Sequence, residues 1–190
     1  MVDSKEHMIS RRDFLKSAVL ATAAPALILP ETAFAGLAPW QHMKDMPLHL
    51  FRNGEEFMLN LRQNGHFGSF RYATRDLKAN VIGYPDPELA GLLSWIQTVV
   101  AIKKGKWYPF HITSGLRTKD TNNKTEGAAR NSMHLPDKNG VFRAVDLYAP
   151  GISPKEIASL AKVAREGGVG LYSSRGFIHI DTGRVRAWGK

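Results

Sequence analysis

The chain of 190 residues carries 26 Lys and Arg against 17 Asp and Glu, a formal net charge of +9, and contains no cysteine. The missing thiol excludes a disulfide framework, cysteine metal ligands and a cysteine nucleophile, so any metal must sit on His, Asp or Glu. The basic charge favours acidic partners, among them anionic cell-wall polymers, lipid head groups and nucleic acid, without choosing between them.

The first residues have the three-part layout of an export signal: a basic segment "MVDSKEHMISRRDFLK", an apolar "SAVLATAAPALIL" and then "PETAFA". Ser10-Arg11-Arg12-Asp13-Phe14-Leu15-Lys16 resembles the twin-arginine export motif, and Ala33-Phe34-Ala35 looks like a small-x-small cleavage site before Gly36. The apolar stretch Ser17 to Leu29 has 13 residues. A bilayer-crossing helix needs roughly 20, so no permanent membrane anchor is expected. The expected organisation is a twin-arginine signal peptide over 1–35, recognised by the twin-arginine export machinery, and a single periplasmic domain over 36–190. At that length one domain buries roughly two-thirds of its unfolded surface. Outside the cytoplasm nucleic acid is the least suitable acidic partner, and none is expected.

In chain order, "LHLFRNGEEFMLNLR" alternates around Asn53-Gly54 and predicts a β-hairpin. "NGHFGSFRYATRDLKANV" shows no clear period. "PDPELAGLLSWIQTVVAIKKG" predicts the main buried helix, with Asp86 as N-cap, Pro87 at the first helical position and Gly105 beyond the end. "WYPFHIT" reads as a short strand leading into Ser114-Gly115-Leu116-Arg117-Thr118. "SPKEIASLAKVAREGG" opens on a capping box of Ser153, Pro154 and Glu156 and closes on Gly167-Gly168. "GVGLYSS" and "GFIHIDTG" are two short strands separated by Ser174-Arg175-Gly176. Helices mixed with hairpins predict an α+β fold.

In "FIHID" the strand period puts Phe177, His179 and Asp181 on one face and sends Ile178 and Ile180 to the core. A lone strand histidine is more commonly structural than a ligand. A catalytic zinc, however, takes three protein ligands and a water whose pKa falls to about 7, and His134, Asp146 and His179 would make such a set. By spacing alone the set is weak. His42 and His66 lie in irregular segments, His49 in the first hairpin, and His111 in a strand where packing is the commoner role.

"ITSGLRT", "TNNKTEGAARNSMH", "AVDL" and "GGVGLYSSRGFIHIDTGRVRAW" together resemble the YcbK-like murein endopeptidase K family, relatives of the D-alanyl-D-alanine metallopeptidases. The resemblance is close over 86–190 and loose over 48–85. It implies a hedgehog/DD-peptidase-like fold with a small antiparallel sheet and packed helices. In that family Ser-x-His, then x-Ala-x-Asp, then a late His-x-Asp bring two histidines and an aspartate to zinc. Carried over residue by residue, the ligands are His134 of Ser132-Met133-His134, Asp146 of Ala144-Val145-Asp146, and His179. The resemblance also assigns Arg117 to the substrate and the developing oxyanion, a structural ion pair being its other reading; Ser132 and Arg175 are further candidate substrate-binding residues. Arg175, Arg184 and Arg186 are candidates to line the cleft for an acidic stem peptide, although solvated loop charge is the commoner role for each.

Two departures from the family pattern stand out. The first His and Asp are 12 positions apart instead of seven, with Phe142 where a glycine is usual, and the extra residues fit an Asn139-Gly140 turn. Gly176 occupies the position of the glutamate found three residues before the last histidine in many relatives. Asp181 is then the candidate proton acceptor, its alternative role being a hydrogen bond that fixes the His179 ring. By analogy with that family the expected activity is zinc-dependent hydrolysis, as an endopeptidase or a carboxypeptidase, of amides in peptidoglycan stem peptides or cross-links, foremost between D-alanine and diaminopimelate. The alternative is a non-catalytic peptidoglycan-binding module on the same fold.

Overall fold

The first hairpin joins β1 (Pro47–Arg52) to β2 (Glu55–Asn60), with Arg52 opposite Glu55. Asn53 and Gly54 both take left-handed φ, 51° and 79°, as the tight turn requires. The computed structural model describes residues 39–189, so the expected signal peptide over 1–35 lies outside the described residues.

The segment without a clear period contains α1 (His66–Ala73). It starts on Gly65 in the left-handed region with no side-chain cap, so the usual start signal is missing. β3 (Tyr84–Pro85) leads into α2 (Pro87–Lys104), where the Asp86 carboxylate accepts from Glu88 N at 3.1 Å and Gly105, with φ 64°, ends the helix. β4 (Phe110–Ser114), α3 (Lys119–Asn123), β5 (Val141–Phe142) and β6 (Ala144–Tyr148) follow. In α4 (Pro154–Ala164) the Ser153 hydroxyl accepts from Glu156 N at 3.2 Å. Its end falls on Arg165, left-handed at φ 55°, before the glycines expected to close it. The chain finishes with β7 (Gly168–Tyr172), β8 (Phe177–Asp181) and β9 (Arg186–Gly189).

Seven strands form one sheet in the order β2-β1-β4-β6-β8-β7-β9, and β3 pairs with β5 apart from it. The α+β class stands, but the sheet is larger than the small antiparallel one expected. The β1/β4 and β7/β9 pairings are parallel; the first joins strands far apart in sequence, and the second joins strands separated in the chain by β8. Leu89, Leu92, Leu93 and Ile96 of α2 and Ile157, Ala158 and Ala161 of α4 share one core with Leu48, Leu50, Phe110, Val145, Leu147, Ile178 and Ile180 of the sheet. Each large side chain fully buried there stabilises the fold by roughly 1.5–3 kcal/mol. Alternation along β6 and β8 then commits Asp146, His179 and Asp181 to the face away from these helices.

Candidate metal centre and its cleft

Asp146 and His179 sit directly opposite each other on β6 and β8. His134 reaches them from the loop between α3 and β5. The 12-residue separation is taken up by a turn that Asp137 N closes on Val141 O at 2.9 Å and Arg143 N closes on Met133 O at 2.8 Å. In this turn Gly140 is left-handed at φ 78° and Asn139 is not, unlike Asn53-Gly54. An ion pair between Arg143 and Asp137 at 2.6 Å braces it.

The three side chains are buried, at 1% exposure for His134 and 7% for Asp146 and His179. His134 Nε2 lies 3.2 Å from Asp146 Oδ1 and 3.2 Å from His179 Nδ1, and His179 Nδ1 lies 2.9 Å from Asp146 Oδ1. The far side of each ring has its own acceptor. His134 Nδ1 is 2.6 Å from the Gly115 carbonyl, and His179 Nε2 is 2.8 Å from Asp181 Oδ2. A proton donated at each of those positions assigns the neutral tautomers, leaving Nε2 of His134 and Nδ1 of His179 with lone pairs. In those tautomers two imidazole lone pairs and a carboxylate oxygen converge, an arrangement that a cation would satisfy. Burial disfavours the charged form of His134 and lowers its pKa despite Asp146. At His179 burial acts in the same direction, but hydrogen bonds to Asp146 and Asp181 outweigh it and the pKa is raised. Burial would raise the Asp146 carboxyl; the charges and hydrogen bonds of His134 and His179 reverse this and hold it well below the usual carboxylate range.

Arg117 Nε donates to Ser114 Oγ at 2.8 Å and its Nη2 donates to Asp146 Oδ2. The structural ion pair considered for Arg117 is therefore present, and the residue also lines the cleft. A register shift between Ile112 and Ser114 on β4 brings Ser114 opposite Asp146, in the manner of bulges beside functional sites. Gly115 supplies the carbonyl for His134 while its α-carbon lies against Thr74; an added Cβ would come within 2.2 Å of Thr74 O.

Asp181 is not placed as a proton acceptor at the cleft. Its carboxylate is fully buried and is engaged by His179, by Arg186 through both Nη atoms (3.0 and 2.7 Å), and by the backbone N–H of Gly168 and Gly183. Burial would raise its pKa, yet the His179 and Arg186 hydrogen bonds hold it far below the usual range. The correction has a simple cause. Alternation assigns a residue to a face without saying what covers that face, and here β7 and β9 cover Asp181.

The cover depends on two glycines. Gly168 pairs with Arg186 while its N–H donates to Asp181 Oδ1, and Gly170 stands between His179 and Trp188 in the ladder. A Cβ on Gly168 would lie 2.4 Å from Arg186 Nη1 and from Asp181 Oδ2, and one on Gly170 would lie 2.6 Å from the Trp188 ring. Arg186 therefore crosses one glycine to reach Asp181, and Trp188 crosses the other to pack 5.2 Å from His179, ring centroid to centroid. The motif Gly168-Val169-Gly170, with two glycines on one strand face, was the available signal for this crossing.

The three convergent residues open on a cleft of about 400 Å³. Ser132 and Arg175 line it, and so do Glu126, Met133, Tyr172 and Trp188, which sequence reasoning did not single out. Arg186 lines it while paired inward, and Arg184 is exposed. Two of the other histidines are accounted for elsewhere: His49 pairs with Glu56 at 2.9 Å, and His66 Nδ1 accepts from Asn60 N at 2.7 Å. His111 stacks between Phe51 and Tyr148. Among the described residues no helix is long and apolar enough to cross a membrane.

A family profile described as "Peptidoglycan L,D-endopeptidase MepK" matches residues 40–188, and a profile of twin-arginine translocation signal sequences matches residues 8–27. The chain is 31% identical over 188 residues to the peptidoglycan L,D-endopeptidase MepK of Escherichia coli K12, covering 94% of this chain and 97% of that protein. It is 33% identical over 121 residues to the probable peptidoglycan L,D-endopeptidase MepK of Haemophilus influenzae, covering 62% of this chain and 61% of that one. No solved structure matches significantly.

Proposed function

The chain belongs to the peptidoglycan L,D-endopeptidase MepK family, and from that premise we propose that it is a zinc-dependent enzyme cleaving an amide between an L-centre and a D-centre in peptidoglycan stem peptides or cross-links. Its twin-arginine signal and cell-wall family put it in the periplasm. In this reading residues 1–35 are removed there and 36–190 act as one peptidase domain. The D-alanine–diaminopimelate bond expected from the sequence joins two D-centres. The family description supports the L,D bond in its place.

The observation that carries the reading is the convergence of His134 Nε2, Asp146 Oδ1 and His179 Nδ1, all within 4.8 Å of one another, with their partners on the far side already satisfied. Two imidazole nitrogens and a carboxylate oxygen are donors that zinc accepts. Zinc held there supplies Lewis acidity toward the scissile carbonyl and toward water. Arg117 fixes the second oxygen of Asp146 and, with two of its five N–H groups so used, keeps donors for the developing oxyanion. Gly176 stands where the resemblance to the wider metallopeptidases would place a glutamate, and Asp181 orients His179. Glu126, the other carboxylate lining the cleft, is given the proton.

Digestion of purified sacculi by the zinc-loaded mature protein, with mass analysis of the released muropeptides, tests the proposal. It predicts cleavage at L,D amides, loss of cleavage in His179→Ala, and at least about a hundredfold drop in kcat for Glu126→Gln. Cleavage at D,D bonds alone would refute the assigned bond. Binding to sacculi without any cleavage would favour the non-catalytic module.

A further inference from the structure

Three arginines line the cleft, and two are already neutralised: Arg117 by Asp146 and Arg186 by Asp181. Arg175 is exposed, and no carboxylate among the described residues pairs with it, Glu126 included. It is nevertheless held in place. It ends the short 3-10 turn Ser173–Arg175, which Gly176 closes at φ 72° by donating its N–H to Ser173 O at 3.2 Å. Its guanidinium carbon lies 4.9 Å from the Phe177 ring centroid and 6.0 Å from that of Tyr172. Those two rings stack at 4.7 Å and 18°. The Tyr172 hydroxyl accepts from Trp188 Nε1 at 3.1 Å, and Trp188 packs on His179. The guanidinium thus lies against the side of an aromatic pair that is continuous, side chain by side chain, with a residue of the candidate metal centre. Contact with the two rings restrains the cation while leaving outward N–H groups for a planar anion.

We propose that Arg175, mounted on Phe177 and Tyr172, is a carboxylate-binding subsite that selects acidic peptides in the cleft. The proposal rests on the reading of this cleft as the peptide site. A carboxylate on the ligand supplies the counter-charge that Arg175 lacks, through the paired hydrogen bonds a guanidinium forms with carboxylates. A solvated surface arginine needs neither the stacked pair beside it nor a place on the cleft wall.

The test uses the zinc-loaded mature protein and the peptide L-Ala-γ-D-Glu-diaminopimelate in two forms, with its carboxylates free or converted to carboxamides. Calorimetric titration is run on the wild type, Arg175→Gln, Arg175→Lys and Arg184→Gln, the last removing an exposed charge outside the cleft lining. The wild type should bind the acid form about tenfold or more tightly than the amide. Arg175→Gln should shrink that ratio by about tenfold, Arg175→Lys should keep part of it, and Arg184→Gln should leave it unchanged. An undiminished ratio in Arg175→Gln, equal binding of both forms by the wild type, or no binding of either would overturn the subsite. Sacculus digestion in parallel separates the two claims: a carboxylate preference that depends on Arg175, without any hydrolysis, would sustain the subsite and defeat the enzymatic reading.

Discussion

His134 and His179 each have one ring nitrogen fixed by an acceptor, the Gly115 carbonyl for the first and the Asp181 carboxylate for the second, and these acceptors decide which nitrogens are left for a cation. Asp181→Asn tests that dependence. An amide can turn its NH2 toward His179 Nε2 and favour the tautomer that protonates Nδ1, and it leaves the Arg186 charge without its buried counterpart. Metal affinity should fall about 10–100-fold, as measured by competition with a chromophoric chelator, in a protein that still folds. Unchanged affinity would mean that Asp181 does not set the ring. The convergent trio was legible through the family motif and not through spacing, because nothing local says that a 12-residue separation closes. The burial of Asp181 was not legible, because its cover arrives from β9 across a glycine.

At the scale of elements, helices with explicit stops and caps were readable: Asp86, Pro87 and Gly105 bound α2, and Ser153 caps α4. α1 and β9 were missed because one has eight residues and an uncapped start, while the other is a four-residue strand without a buried stripe. β9 nonetheless depends on β7 for its seat. Gly170→Ala would press a methyl against the Trp188 ring and should cost about 1–3 kcal/mol by thermal unfolding, with a change in tryptophan emission as Trp188 leaves His179. Asp76 links the end of α1 to the start of α3 by accepting from Thr118 N at 2.8 Å and from Lys78 N and Ala79 N. Burial would raise its pKa, but the bonds from Thr118, Thr121 and Ala79 lower it. A depressed carboxylate contributes stability that is present above its unfolded pKa of about 3.9 and is lost as pH falls through the folded value. Asp76→Asn should therefore lower stability at neutral pH and flatten the acid limb of denaturant midpoint against pH below about pH 4. A limb as steep as the wild type's would contradict this.

Across the whole molecule the seven-stranded sheet separates two kinds of surface. One face is closed by α2 and α4 over the apolar residues of β6 and β8, and the other carries Asp146, His179 and Asp181. The helical side was foreseeable from apolar periodicity. The parallel β1/β4 and β7/β9 pairings were not, since they depend on which non-consecutive strands meet and not on any pattern within them. The cleft is lined on one side by the Arg186 and Trp188 side chains, which cross the glycines of β7, and also by the loop bearing Glu126 and His134. Elemental analysis of the purified mature protein, wild type beside His179→Ala, tests the central claim most directly. About one zinc per chain in the wild type, lost in the variant, is the expected result. No zinc in the wild type after reconstitution, or equal zinc in both proteins, would contradict the assignment of His134, Asp146 and His179 as its site.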